Sequence, residues 1–207
     1  MAQHLVATAH DLQTGLSQEQ DHLELWLQTY AEVSGHGFIR LKRRPRKVVL
    51  GRLIQAVGGV GGVIEAAALE TLWHRMAQAN FKAATLGGCQ IVAHEAGYLL
   101  ACEASRAKGR RGLTPAPEPQ SYGAGTYIWD QRFMVTYKGQ SSIKLSHAFG
   151  YINRLEGVIQ TIPVAARLTL PLIHNAQSDV LAVGAYESEY LHVKWLGHER
   201  LMDRVHV

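Results

Sequence analysis

The chain has 207 residues, of which 47% are hydrophobic and 18% charged, so it holds enough apolar side chains for a sizeable core and is not of disordered composition. The first fifteen residues include His4, His10 and Asp11 and no apolar run, and nothing further on has the length or hydropathy of a membrane span. A cytoplasmic location with no membrane partner is expected, and a net charge of +4 is too small on its own to argue for a polyanion.

Leu23, Trp26, Leu27, Tyr30 and Val33 recur at three- and four-residue spacing, and Ser17 with Gln20 makes a capping box, so the spacing predicts an amphipathic helix over 17–33. Ser34 to Gly37 should stop it. Residues 38–42 alternate like a short strand, after which Pro45 can open a second helix carrying Val49, Leu53 and Ala56 on one side and ending at Gly58 and Gly59. Ile64, Ala68, Leu72 and Met76, joined by Trp73, mark a third helix that closes near Asn80. These three helices define a small helical domain over 1–84.

The period then changes. Leu86, Cys89, Ile91 and Val92 lead to a turn at Glu95 to Gly97 and on to Tyr98, Leu99, Leu100 and Cys102, a β-hairpin over 85–103. Residues 104–121 hold three prolines and the cations Arg106, Lys108, Arg110 and Arg111, the composition of a basic linker. In 122–207, Thr126, Ile128, Phe133, Val135 and Tyr137 suggest strand, Pro163 opens a short helix, and 180–183 and 190–195 supply further strand. The expected fold class is α+β: a small helical domain, a β-hairpin and a mixed, strand-rich C-terminal domain.

Catalytic signals are weak. The glycine run 57–62 follows a helix, whereas a phosphate cradle follows a strand and opens a helix, so the glycines read as a helix end. No nucleophile elbow and no Ser/His/Asp or Cys/His grouping stands out. Cys89 and Cys102 read as small buried reduced thiols, and His192 and His198 come nearest to ligand spacing without making a metal site. No catalytic residue, metal or cofactor is assigned.

The charge distribution says more than its sum. No acidic residue lies between Glu32 and Glu65, while Arg40, Lys42, Arg43, Arg44, Arg46, Lys47 and Arg52 all fall inside that gap. Clustered cations without acids favour a polyanion, because phosphate contacts release counterions. The bland alternative is a solvated face ahead of a helix.

Several segments together resemble the C-terminal, non-catalytic region of bacterial tRNA(Ile)-lysidine synthetase: LQTGL (12–16), RLIQAVGG (52–59), TLGGCQIV (85–92) with GYLLAC (97–102), WDQRFMV (129–135), and AARLTLPLI (165–173) with VLAV (180–183). Their order and spacing carry the resemblance, which covers nearly the whole chain. The family tends to have glycine where Gln131 stands, Arg and Pro around Glu103 and Ala104, and proline where Gly184 stands.

The resemblance implies a tRNA-binding and positioning module that supports lysidine formation at the anticodon wobble cytidine. The family's ATP-dependent ligase chemistry belongs to an ATP-pyrophosphatase domain with a Ser-Gly-Gly-x-Asp-Ser loop, a sequence not present in this chain. ATP is therefore implied for that domain alone, and the expected partners are tRNA and a separate pyrophosphatase domain or protein. The expected RNA contacts are Arg40, Lys42, Arg43, Arg44, Arg46 and Lys47, then Arg110, Arg111, Arg132 and Arg167. The alternative is a non-catalytic structural or assembly protein in an RNA-containing complex.

Overall fold

The computed structural model describes residues 21–59, 63–105 and 119–202. The capping box at Ser17 and Gln20, the LQTGL segment, most of the basic linker, and Arg110 and Arg111 lie outside the described residues.

Helix α1 covers residues 21–30 and buries Leu23 and Leu27, one turn apart, with Trp26 and Tyr30 flanking them. It ends earlier than its apolar spacing predicts. Residues Ala31–Ser34 form strand β1, paired with β2 (Phe38–Leu41), and the Lys42 N–H donates to the Tyr30 carbonyl at 2.8 Å. Sheet pairing thus satisfies the helix end and takes Val33 from the helix pattern.

Helix α2 (Lys47–Gly58) buries Leu50, Leu53, Ile54, Ala56 and Val57. This face is centred about one position away from the expected one, since Val49 is only half-buried. Gly59 closes the helix in the left-handed conformation at φ 66, its N–H on the Gln55 carbonyl, so the glycine pair is a helix terminator. Helix α3 (Ala66–Arg75) buries Leu72 alone, with Met76 just past its end.

The hairpin reading is right in place and incomplete in role. Strands β4 (Cys89–His94) and β5 (Gly97–Cys102) pair in register, Cys89 opposite Cys102, and take β3 (Ala83–Leu86) on one side and β2 with β1 on the other. The resulting sheet is antiparallel in the order β1-β2-β5-β4-β3. The first 84 residues are therefore not purely helical; they supply two strands and part of a third.

Leu100 packs with Ile39, Ile91 and the α2 side chains on one face of this sheet, while Phe38, Leu99 and Ala101 pack against Leu155, Ile159, Ile162, Ala166 and Leu170 on the other. Cover on both faces explains why Leu-Leu-Ala-Cys shows no alternation.

Strands β6 (Gln120–Tyr122), β9 (Ile143–His147), β10 (Pro171–His174) and β11 (Val180–Val183) form a sheet in the order β11-β10-β9-β6. Strands β7 (Gly125–Trp129), β8 (Phe133–Tyr137), β12 (Tyr186–Glu187) and β13 (Leu191–Trp195) form another, in the order β12-β13-β8-β7. Two short helices, α4 (Glu156–Ile159) and α5 (Val164–Arg167), lie between β9 and β10, and α6 (Gly197–Met202) packs back on α2. The chain is α+β with a strand-rich C-terminal part, as its composition and periodicities predict.

Four of the segments quoted for the family resemblance, RLIQAVGG, TLGGCQIV, WDQRFMV and AARLTLPLI, meet at one buried joint. A Cβ on Gly58 would overlap the Gly87 carbonyl, so RLIQAVGG and TLGGCQIV meet backbone to backbone. A Cβ on Gly59 would overlap the Arg132 side chain from WDQRF. Arg132 is 1% exposed; its Nε donates to Asp130 Oδ2 at 2.8 Å, and its Nη2 donates to the Thr169 carbonyl from the ARLTL segment. His147 Nε2 lies 3.3 Å from the same Asp130 oxygen, its ring 4.5 Å from that of Trp129.

Asp130 and Gln131 both take positive φ, 49 and 53, in the turn that aims Arg132 inward. Glycine, the residue of the resembled family at position 131, suits such a φ better than glutamine. Gly184 sits at φ 71 with its missing Cβ replaced by the His36 ring, and proline could not adopt that angle.

Candidate nucleic-acid interface

Residues 42–46 connect β2 to α2 and are held from inside. Trp73 of α3 donates its Nε1–H to the Pro45 carbonyl at 2.9 Å; Arg44 lies 4.0 Å over the Trp73 ring and donates to the Trp73 carbonyl at 3.2 Å. On the other side, the Arg43 guanidinium stacks 3.5 Å over Tyr30 of α1, whose ring stands 5.7 Å from Trp26. The cations are thus set on an aromatic scaffold.

Helix α2 starts at Lys47 with no side-chain cap and no acidic residue in its first turn. Its leading N–H groups lack intrahelical partners and its dipole adds positive potential to the cations around it. A cavity of about 530 Å³ opens here between α1 and the start of α2, with Leu23, Leu25, Trp26 and Val48 as apolar walls and Arg43, Arg44, Arg46, Lys47 and Arg52 around them. No Asp or Glu is among the described residues that line it.

The acid-free interval is only partly acid-free in space. Arg40 reaches back to Glu32, Nη1 to Oε1 at 2.6 Å, and Lys47 is bonded to Glu70 on α3. That hydrogen bond holds the Glu70 carboxyl below the ordinary carboxylate range, and His74 Nε2 approaches the other Glu70 oxygen at 2.8 Å. Exposed Lys42, Arg43 and Arg46 have no carboxylate partner among the described residues, so within this interval their charge is open to an anion.

One of the weaker expected contacts is corrected. Arg132 is buried in the joint with Asp130, and a guanidinium enclosed there cannot reach an RNA backbone. Arg167 is half-buried, its Nε donating to the Ile162 carbonyl at 2.7 Å and its Nη2 to the Gln160 carbonyl at 3.2 Å, so it braces the loop after α4 and stays partly open to solvent. A local signal for Arg132 was present: an acid two residues away and aromatic neighbours on both sides of the turn, Trp129 and Phe133.

Sequence reasoning missed Trp26, Tyr30, Leu25 and Val48 as cavity residues, because their spacing describes a core face equally well. His192 and His198 line a separate open cavity of about 490 Å³ with Glu187. Among the described residues no group of three His, Cys, Asp or Glu is arranged to hold a metal, and no helix is long and apolar enough to cross a membrane. Cys89 and Cys102 are both buried, and burial pushes the Cys89 thiol well above its usual range.

Comparison with known proteins gave no match to a family model, to a curated protein or to a solved structure.

Proposed function

We propose that the chain is a tRNA-binding and positioning module, similar in role to the C-terminal half of tRNA(Ile)-lysidine synthetase, serving an ATP-pyrophosphatase domain that performs the chemistry at the wobble cytidine. The observation that carries this reading is the cavity at the start of α2, lined by no carboxylate among the described residues, with exposed Arg43 and Arg46 beside it and Lys42 just before them. Its contacts are phosphate contacts, which fix position and register and leave sequence to other features. Arg40 and Lys47 contribute less, because each must first leave a carboxylate.

Ultraviolet crosslinking of the full chain to total tRNA, followed by mapping of the adducted peptides, tests the reading. Adducts concentrated on residues 21–52 are expected at physiological salt. Failure to retain any tRNA, or adducts confined to the C-terminal sheets, overturns it. The chain by itself is expected to show no ATP turnover and no lysine transfer, measured as pyrophosphate release with tRNA and lysine present.

A further inference from the structure

Phosphate contacts alone need no apolar cavity, yet one lies between the cations. Leu25 and Val48 are 63% and 62% exposed, both line this cavity, and Trp26 stands deeper in it, packed against the core. Its volume, about 530 Å³, falls in the range of roughly 300–1,000 Å³ common for sites that enclose a small organic ligand. Planar groups already line one wall: the Arg43 guanidinium lies 3.5 Å over the Tyr30 ring, and the Trp26 ring stands 5.7 Å from Tyr30, tilted by 43°.

We propose that this cavity receives one unstacked nucleotide of a bound RNA, its base covering Leu25, Val48 and Trp26 and its phosphate facing Arg46 and the start of α2. The inference rests on the RNA reading above and adds to it that the RNA must offer an unpaired nucleotide, at an end or in a loop. A base brings a flat apolar face that stacks on aromatic and guanidinium planes, and its phosphate brings negative charge to Arg43 and Arg46, which have no carboxylate partner among the described residues. An acidic helical peptide matches the charge, but helix-in-groove docking needs anchors along several turns, whereas this cavity lies at one helix start.

The experiment uses the full chain and two RNAs sharing one duplex, one blunt and one with a short 3′ single-stranded extension carrying 2-aminopurine. The extended RNA should bind on the order of tenfold more tightly, with a change in 2-aminopurine fluorescence on binding. Trp26→Leu should bring the ratio of the extended-RNA to the blunt-RNA affinity down to about one. Leu25→Ser, at an exposed position that folding tolerates, should reduce it in the same direction. Equal affinity for the two RNAs, or fluorescence that does not respond, overturns the nucleotide pocket and leaves the RNA reading standing. Binding of neither RNA at any salt removes the RNA reading and this inference together. Displacement of the extension, but not of the duplex, by a Glu- and Leu-rich helical peptide assigns the cavity to a protein partner and likewise overturns the proposal.

Discussion

Arg132 and Arg43 carry the same charge in opposite settings. Arg132 is enclosed, paired with Asp130 and bonded to the Thr169 carbonyl, and it fills the space beside Gly59 that ties α2 to the C-terminal sheets. Arg43 lies on the surface against Tyr30, with no carboxylate partner among the described residues. Removing a guanidinium in the first setting is costly, because it leaves a mostly buried carboxylate and a carbonyl without their donor. In the second the group contributes little to folding and keeps its charge available to a partner.

The largest effect should come from breaking the buried pair. Arg132→Ala leaves the Asp130 carboxylate without its partner, and unfolding in urea should show a loss of about 3–5 kcal/mol. If the variant is nearly as stable as the parent, the joint is not what holds the two halves together. Gly59→Ala acts on the same place from the other side: a Cβ at φ 66 is strained and collides with Arg132, so a loss of about 1–3 kcal/mol is expected by the same measurement.

A smaller effect should appear with pH at His36. Its Nδ1 accepts the Ala185 N–H at 3.1 Å, and burial holds its pKa below the ordinary histidine value of 6.5. The unfolded chain therefore takes up the proton first as pH falls. Stability from this contact is complete above about 6.5 and declines below it, toward the lower value of the folded state. Thermal midpoints measured from pH 8 to pH 5 should fall more steeply for the parent than for His36→Asn, whose amide oxygen can still accept that N–H without titrating. Parallel curves would show that the His36 contact does not couple protonation to folding.

The two settings were not equally legible in the sequence. The hairpin, the helix end at the glycine pair and the strand at 38–41 follow from local rules, and the structure has them. The joint's parts were visible as segments, but their meeting was not, because Gly58 against Gly87 and Arg132 against Thr169 are contacts between distant positions. Strands β9 and β10 were missed, since Ser146, His147 and His174 are buried polar residues that blur an apolar period. The basic run was plain in the sequence, whereas its division into paired Arg40 and Lys47 and unpaired Lys42, Arg43 and Arg46 depends on where Glu32 and Glu70 fold.

The most direct test of the central claim is the salt dependence of tRNA binding by Arg43→Ala/Arg46→Ala beside that of the parent chain. Both side chains are exposed, so the double variant should lose less than about 0.5 kcal/mol of stability. If each cation holds one phosphate, affinity should drop for many tRNAs together, and the log-log salt slope should flatten by roughly 1.4–1.8 units. A folded double variant that keeps both the affinity and the slope of the parent contradicts the account and makes the surface at the start of α2 a solvated face.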